Sequence, residues 1–229
     1  MSNGQDDEHG TGNFASPPCF MHEIDPVYAG LTPAPDSQQK RDVNRWRKAE
    51  RQRLLAARLA IPAADRHRHG AIIAAGLDDI LGDVSGKMVG VYWPIRCEPD
   101  LRQWMAGVAA RGGRCALPVV VKPHTPLVFR AWQDGDKLER GVWNIPVPAT
   151  GAEVIPDIVI SPVVGFDGAC YRLGYGGGFY DRTLASLAEK PRIVGVGYAE
   201  ATLLSIYPQP HDIPMDMIVT ENGCMAPGP

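Results

Sequence analysis

Apolar residues recur at helical spacing from Asp42 onward, and the pattern stops at Pro62. The residues that fall roughly on one helix face are Val43, Trp46, Leu54, Ala57 and Ile61. This spacing predicts a first helix that Pro62 interrupts and a second helix from about Pro62 to Leu81. Residues 1–40 lack such periodicity and are rich in Gly, Pro, Asp and Ser, which predicts a mobile N-terminal extension.

Beyond Gly82 the pattern changes to short apolar runs that alternate with helical segments. The predicted strands are 88–92, 115–121, 127–132, 157–164, 192–198 and 217–220. The predicted helices are 99–111, 179–189 and 201–206, and residues 133–150 form a loop-rich stretch. Alternation of this kind predicts an α/β fold with a mainly parallel central sheet flanked by helices. We assign residues 41–224 to one domain and residues 225–229 to a C-terminal tail.

Composition narrows the class of protein. The chain of 229 residues, 45% of them apolar, is long enough to bury one sizeable core. Its five cysteines form no CxxC pair and no His/Cys cluster, so neither a disulfide scaffold nor a structural zinc site is expected. Residues 1–20 carry acids where a signal peptide carries positive charge, and no apolar run approaches a membrane span. We therefore expect a cytoplasmic protein with no membrane partner.

Charge is distributed unevenly along the chain. Residues 1–39 contain six acids and no Lys or Arg, whereas residues 40–69 contain ten Lys or Arg and three acids. The basic excess suits an anionic ligand, although a solvated helix face is an equally simple explanation. No aromatic-interleaved basic patch accompanies the run, so nucleic acid is not an expected partner.

The densest functional signal lies in residues 165–182. Four of the five residues 174–178 are glycine, which lets the backbone adopt positive φ and approach a ligand closely. Successive amides and the following helix N-terminus can then bind one anion, and Arg172 and Arg182 add charges that suit phosphate oxygens. The alternative is that these glycines only permit a tight connection between a strand and a helix. Composition leaves both interpretations open.

Acidic residues near this loop are candidates for a metal site. Asp181 lies in the predicted first helical turn, where the helix dipole alone stabilises a carboxylate by roughly 0.3–1 kcal/mol. Its other possible role is Mg²⁺ binding, in which one or two carboxylates act with phosphate oxygens and waters. Asp212 and Asp216 are candidates for the second carboxylate, and each is also compatible with an ordinary turn beside Pro214.

The whole string resembles the signature of 5-formyltetrahydrofolate cyclo-ligases, also called methenyltetrahydrofolate synthetases. The matching residues are Phe166-Asp167 followed by Arg172-Leu-Gly-Tyr-Gly-Gly-Gly-Phe-Tyr-Asp-Arg182. Further similarity runs from about Arg45 to Glu221 and includes the turn 92–98 and Trp143-Asn144-Ile145-Pro146. The resemblance implies an α/β fold like that of the NagB/RpiA/CoA-transferase group. It also implies ATP as co-substrate, Mg²⁺ and a reduced folate, and we expect a monomer.

The resemblance also implies a role for individual residues. The ATP-binding positions are Arg47, Arg51, Arg172, Leu173, Gly174, Gly176, Gly177, Gly178, Phe179 and Tyr180. The metal positions are Asp181 and Asp212, the folate positions are Trp93, Glu98 and Tyr175, and the catalytic positions are Arg172, Tyr175 and Asp181. Core packing is the alternative role for Trp93. For Glu98 it is a helix N-cap before Pro99.

In the reaction that the resemblance implies, the formyl oxygen on folate N5 attacks the γ-phosphate of ATP. N10 then adds to the activated carbon and phosphate leaves, which gives 5,10-methenyltetrahydrofolate. Two other hypotheses stay open: a non-catalytic or diverged folate or nucleotide binder on the same scaffold, and a sugar-phosphate isomerase or acyl transferase with a similar sheet.

This chain departs from the family pattern at several positions. Arg47 replaces a lysine, which keeps the charge and changes its geometry. Cys170 replaces a glycine and Phe179 a tyrosine, and Pro99-Asp100-Leu101 replaces the usual acid and threonine after Glu98. We expect the change at Cys170 to affect the local backbone more than the change at Phe179.

Overall fold

A computed structural model of the chain describes residues 37–228. Contacts divide the chain into two units, Met1–Arg47 and Lys48–Pro229. Residues 1–36 of the predicted extension 1–40 lie outside the described residues. Its last four residues, 37–40, are helical. The domain boundaries therefore stay a prediction.

Four α-helices are present in the described residues. They are α1 (Ser37–Ala60), α2 (Ala63–Leu81), α3 (Arg102–Ala110) and α4 (Phe179–Ser186). The first helix begins five residues before Asp42 because polar residues form its first turn. The Gln38 amide donates to the Asp42 carboxylate at 3.0 Å, a spacing of four residues that stabilises a helix without apolar periodicity. Pro62 lies just before α2, where its fixed φ of −58° suits a helix start.

The central sheet has eight strands. They are β1 (Met88–Gly90), β2 (Arg114–Val119), β3 (Val128–Trp132), β6 (Glu153–Val154), β7 (Ile158–Pro162), β10 (Arg192–Val196), β12 (Met217–Thr220) and β13 (Gly223–Met225). Their order is β13-β12-β10-β7-β1-β2-β3-β6. The five strands from β12 to β2 are parallel, and antiparallel strands border them on both sides. The predicted α/β fold with a mainly parallel sheet is confirmed.

Two smaller sheets were not predicted. One joins β8 (Gly165–Asp167), β9 (Arg172–Leu173) and β11 (Thr202–Leu203), and the other joins β4 (Leu138–Arg140) to β5 (Pro146–Pro148). The predicted helix 201–206 is wrong, because Thr202 and Leu203 pair with β8 as a strand after a single 3-10 turn. Likewise, the loop-rich stretch 133–150 contains the β4–β5 hairpin.

Asp167 fixes the turn that leads into the glycine-rich loop. Its buried carboxylate accepts hydrogen bonds from the backbone N–H groups of Ala169, Tyr171 and Ile206, at 3.2, 3.1 and 3.0 Å. The first two bonds close the β8–β9 turn, and the third ties that turn to the segment after β11. The acid in the Phe166-Asp167 pair therefore has a structural role that holds the start of the loop in place.

The apolar side chains of the central sheet and of α2 and α3 form one large core, and a second core surrounds β8 and β9. Among residues 37–228, no helix combines the length and the apolar character needed to cross a lipid bilayer.

Candidate active site

Glu98 lies in a tight turn beyond the carboxyl end of β1. Arg96 and Cys97 adopt left-handed φ values of 46° and 59°, so this turn is locally strained. The backbone N–H of Ile95 donates to Glu98 Oε2 at 2.8 Å. Two tyrosines hold the turn from outside it: Tyr92 donates to Pro99 O at 2.7 Å and Tyr198 to Cys97 O at 3.1 Å. The Glu98 carboxylate is therefore fixed in position although it lies in a loop.

Three distant segments bring Arg58, Glu98 and Tyr175 together, and we call these residues the buried cluster. The Tyr175 hydroxyl donates to Glu98 Oε1 at 2.8 Å, and Arg58 Nη1 donates to that hydroxyl at 3.2 Å. Arg58 Nη1 is 3.9 Å from Glu98 Oε1, and Arg58 Nη2 donates to the carbonyl of Val163, just after β7. Glu98 and Arg58 are only 5% and 3% exposed.

The patterns in the sequence assign no role to Arg58. The available signal was its spacing: it lies four residues after Leu54 and three before Ile61, on the face of α1 that the apolar pattern marks as buried. An arginine at such a position needs a buried partner, because an unpaired charge inside a protein is costly. The partners come from elements remote in sequence, so the pattern alone could not name them.

Burial controls the protonation of this cluster. Removal from water raises the pKa of the Glu98 carboxyl from 4.5 to about 7, against the opposing effects of the Ile95 N–H, the Tyr175 hydroxyl, Arg58 and Arg96. Burial, followed by the negative charge of Glu98, also raises the pKa of Tyr175. Tyr175 therefore keeps its proton at neutral pH and acts as a hydrogen-bond donor, whereas Glu98 titrates near neutrality.

The glycine-rich loop between β9 and α4 adopts conformations that require glycine. Gly176 and Gly178 have φ values of 96° and 62°. Arg51 on α1 donates to the carbonyl of Gly174 at 2.7 Å, and its guanidinium lies 3.3 Å from where a Cβ at Gly176 would be. Arg182 on α4 donates to the carbonyl of Gly177. Two guanidinium groups thus flank a loop whose backbone can come close to an anion.

Arg172 and Asp181 form a largely buried ion pair at the base of this loop. Arg172 Nη2 is 2.9 Å from Asp181 Oδ2, and Asp181 Oδ1 accepts the backbone N–H of Ile213 at 3.2 Å. The residue before Ile213 is Asp212, so the segment that carries Asp212 lies against Asp181. Asp216 is used differently, because its carboxylate accepts the N–H of Ile193 at 2.7 Å and joins β10 to the start of β12.

The donor set here fits Mg²⁺. Asp181 supplies a carboxylate, and Asp212 lies on the adjoining segment with one oxygen accepting the Gln209 N–H at 2.6 Å. Mg²⁺ commonly takes one or two protein carboxylates together with phosphate oxygens and waters. Residues 37–228 contain no group of three or more His, Cys, Asp or Glu side chains suited to a metal. A site made by these residues would therefore need further oxygens from a bound phosphate or from waters.

Aromatic rings line the end of the loop that leads into α4. Arg182 lies over the Phe179 ring at 5.4 Å, and the Trp143 ring meets Phe179 edge-on at 5.5 Å. Trp143 is 66% exposed and has a left-handed φ of 56°. Arg172 lies over the Tyr180 ring at 5.3 Å, and the Tyr180 hydroxyl is buried without a hydrogen-bond partner in the described part of the chain. The Phe179 and Tyr180 rings therefore lie next to arginines at the loop, Phe179 next to Arg182 and Tyr180 next to Arg172.

The remaining predicted residues differ in how they face the site. Leu173 is buried in the core around β8 and β9, so its side chain faces away from the loop surface. Trp93 packs edge-on against Trp132 at 5.9 Å and under Arg102 at 5.6 Å, which supports core packing for part of its surface. Arg47 lies on α1, in the unit Met1–Arg47.

The N-cap alternative for Glu98 is wrong. Helix α3 begins at Arg102, with Leu101 at the N-cap position. The Glu98 oxygens instead accept from Ile95 and Tyr175, as described above. Its carboxylate belongs to the buried cluster and not to the end of α3.

Comparison with known proteins agrees with this arrangement. The sequence pattern of the 5-formyltetrahydrofolate cyclo-ligase family matches residues 43–221. The chain belongs to this family. A protein of Mycolicibacterium smegmatis named 5-formyltetrahydrofolate cyclo-ligase is 30% identical, across 73% of this chain and 89% of its own length. One of the same name from Escherichia coli K12 is 44% identical, across 60% of this chain and 79% of its own.

Solved structures share the fold of this chain. The 5,10-methenyltetrahydrofolate synthetase of Aquifex aeolicus is 27% identical with a TM-score of 0.69, and the match covers 79% of this chain and 92% of that one. A synthetase from Mycoplasma pneumoniae shares the fold at 22% identity, with a TM-score of 0.63 over 76% of this chain and 98% of that one. The predicted membership of the cyclo-ligase family is confirmed.

Proposed function

We propose that this cyclo-ligase family member converts 5-formyltetrahydrofolate into 5,10-methenyltetrahydrofolate, with ATP converted to ADP and phosphate and with Mg²⁺ bound. One observation carries the proposal: Tyr175 belongs to the glycine-rich loop and also donates a hydrogen bond to Glu98. A phosphate-binding element and a buried carboxylate therefore meet at one residue. Such a junction suits a reaction that joins a phosphate to an organic oxygen.

The reaction has two chemical steps. The formyl oxygen on N5 attacks the γ-phosphorus of ATP, the bond to the β-phosphate oxygen breaks, and ADP leaves. N10 then adds to the activated formyl carbon, the carbon–oxygen bond breaks, and N10 loses its proton as phosphate departs. No step needs a side-chain nucleophile, so the protein acts by positioning its substrates and stabilising charge.

The loop and its flanking guanidinium groups form the phosphate side of the site. Amides of residues 174–178 donate to phosphate oxygens, helped by the positive end of α4. Arg51 and Arg182 lie next to Gly176 and Gly178 and supply the full charges, and Arg172 lies at the base of the loop. Arg47, one helical turn before Arg51, is the further nucleotide contact that the family pattern indicates.

Asp181 and Asp212 are the residues that would hold Mg²⁺. When bound, the ion neutralises phosphate charge and favours transfer of the γ-phosphoryl group. Asp181 is paired with Arg172 at 2.9 Å, so the same carboxylate keeps that guanidinium oriented beside the loop.

The buried cluster forms the folate side. Glu98 accepts from Ile95 and Tyr175 and keeps free lone pairs that can accept N–H donors of the folate ring. Trp93, five residues before Glu98, is a second candidate contact. Because both donors to Glu98 are fixed, the carboxylate can orient the ring so that its formyl group faces the loop.

An absorbance assay tests the proposal. We expect purified protein with ATP, Mg²⁺ and 5-formyltetrahydrofolate to produce the near-ultraviolet absorbance of the methenyl product. Reactions without ATP, and reactions with a Mg²⁺ chelator, serve as controls and should show no rise. Absence of product at high enzyme concentration would overturn the proposal. ATP binding by such an inactive protein would instead favour a nucleotide-binding family member.

We also propose that the chain works as a monomer in the cytoplasm. Within the described residues, one chain contributes both the buried cluster and the loop, so the site needs no second copy. Light scattering of the purified protein tests the oligomeric state, and cell fractionation tests the location. A stable dimer, or membrane-bound enzyme, would contradict these proposals.

A further inference from the structure

We propose that Arg58 is a positioning residue for the folate side of the site, which orients Tyr175 and keeps Glu98 in the carboxylate form that folate binding needs. This inference rests on the proposed function and assigns a role to a residue outside the glycine-rich loop.

Arg58 has the contacts of a fixed residue. It is 3% exposed, and its Nη2 donates to the carbonyl of Val163. That carbonyl follows β7, the strand in the middle of the parallel sheet, so the guanidinium is anchored to a rigid element. Its Nη1 is 3.2 Å from the Tyr175 hydroxyl, which leaves the Tyr175 proton free to point at Glu98. Arg58 therefore donates a hydrogen bond to Tyr175, and Tyr175 donates one to Glu98.

Arg58 is also the buried positive charge among the groups around Glu98. The charged and titratable side chains facing this carboxylate are Arg58 from α1, Arg96 from its own turn, Tyr175 from the loop, Tyr92 after β1 and Tyr180 from α4. Arg96 is exposed, so water screens its charge. Arg58 is screened much less and lies 3.9 Å from Glu98 Oε1.

The hydrogen bonds favour an ionised Glu98. Oε2 accepts from the Ile95 N–H and Oε1 accepts from Tyr175, so both oxygens serve as acceptors. If Glu98 were protonated, its O–H would face another donor: the Ile95 N–H, the Tyr175 hydroxyl or an N–H of the folate. Burial raises the pKa of Glu98 to about 7, which brings this unfavourable form into the neutral range. The charge on Arg58 opposes that effect.

The decisive experiment measures the pH dependence of KM for 5-formyltetrahydrofolate in three proteins. In the wild type, KM should rise as pH falls through about 7. Arg58→Gln removes the charge, and we expect the midpoint to move up by about one pH unit and KM at pH 7 to rise about fivefold. Arg58→Lys retains the charge and should bring the midpoint most of the way back. KM for ATP should change less than about twofold in both variants.

Arg53→Gln is the matched control. Arg53 lies on the same helix, pairs with Glu50 on the surface and is exposed, so the same chemical change there should leave the pH midpoint unmoved. A merely structural role for Arg58 would lower thermal stability and leave the midpoint at the wild-type value. That result, in folded Arg58→Gln protein, would overturn the inference.

Two further measurements keep the test decisive. If Arg58→Gln does not fold, Tyr175→Phe removes the hydroxyl that links Arg58 to Glu98 while Arg58 stays, and it should move the midpoint in the same direction by at least as much. No movement in that variant would also overturn the inference. If the wild type binds 5-formyltetrahydrofolate without turnover, the proposed function fails, and calorimetric binding across pH still tests Arg58.

Discussion

The buried cluster and the glycine-rich loop differ in how each controls its ligand. In the cluster, the Tyr175 hydroxyl joins the buried side chains of Arg58 from α1 and Glu98 from the turn after β1 by hydrogen bonds. The loop instead presents backbone amides between guanidinium groups, and Tyr175 and Gly176 within it are exposed. One region is preorganised by burial, the other by backbone conformation and charge.

This difference has energetic consequences. Electrostatic effects are stronger where water is excluded, so a change in charge at Glu98 or Arg58 affects its neighbours strongly. On the exposed part of the loop, a change in backbone shape matters more than a change in an exposed charge, because solvent screens charge but cannot restore a lost conformation. The Arg172–Asp181 pair at the base of the loop is largely buried and stays sensitive to charge. Variants in the two regions should therefore lose activity for different reasons.

The largest effect is expected at the base of the loop. Asp181→Asn removes the carboxylate that pairs with Arg172 and that is a candidate metal ligand, while it keeps an oxygen for the Ile213 N–H. We expect kcat to fall by about 100-fold or more, with partial recovery in excess Mg²⁺. Steady-state kinetics over a Mg²⁺ series measures this.

The control for this variant is Asp79→Asn, the same change on the exposed surface of α2, which should leave kcat unchanged. Wild-type kinetics in Asp181→Asn would show that the aspartate only stabilises the start of α4. The claim that charge at the base of the loop supports catalysis would then be wrong.

The next effect concerns the buried cluster. Glu98→Gln should lower kcat/KM for 5-formyltetrahydrofolate by about 10- to 100-fold, because an amide cannot accept from both Ile95 and Tyr175. KM for ATP should stay close to the wild-type value. If KM for ATP rises as much as KM for folate, the two regions are not separate, and the comparison fails.

The stability of this variant should depend on pH with a defined sign. The pKa of Glu98 is raised from 4.5 to about 7 by folding, so the folded wild type binds a proton more tightly and loses stability as pH rises from about 4.5 to 7. Glu98→Gln has no carboxyl group to titrate at this position, so it does not lose this stability as pH rises. The stability of the variant relative to wild type should therefore increase by roughly 3 kcal/mol over that range. Urea unfolding at pH 5 and pH 8 measures it, and a constant difference would contradict the buried-carboxylate description.

A smaller effect is expected from the loop backbone. Gly178→Ala places a Cβ at φ 62° and 2.9 Å from Arg182 Nη1, so the residue is strained by about 1–2 kcal/mol and displaces a guanidinium. KM for ATP should rise about tenfold, with KM for folate little changed. Gly168→Ala is the matched control, since a Cβ there meets nothing within 4 Å. An unchanged KM for ATP in Gly178→Ala would show that the loop conformation does not matter for the nucleotide.

The smallest effect is expected at Cys170, where the family has glycine. Its φ of 60° explains that preference, and its buried thiol lies 3.6 Å from the carbonyl of Met225. Cys170→Gly relieves backbone strain of about 1 kcal/mol and loses buried packing of similar size. We therefore expect unfolding free energy to change by less than about 1 kcal/mol and kcat to stay the same. A large gain in activity would show that this departure distorts the loop.

Local pattern determined much of the fold in advance. Pro62 marks the start of α2, and a β-branched apolar run marks the strand Met217–Thr220. The glycine-rich loop marks the start of α4 at Phe179. These three features were predicted because each signal is local. The helix predicted at 201–206 failed because strand pairing with β8 outweighs the helical propensity of a short segment. Residues 37–41 were missed because their helix is stabilised by polar side-chain pairs, without an apolar stripe.

The loop could be identified from the sequence, since its glycines lie close to Arg172 and Arg182 in the chain, although the third arginine, Arg51, comes from α1. The sequence also determined the family, because that string is long and specific. The tertiary structure alone decided the buried cluster: Arg58, Glu98 and Tyr175 are far apart in sequence and meet only when α1 and the turn after β1 pack around the loop. The raised pKa of Glu98 follows from that packing, because removal from water is a property of the folded chain and not of the residue.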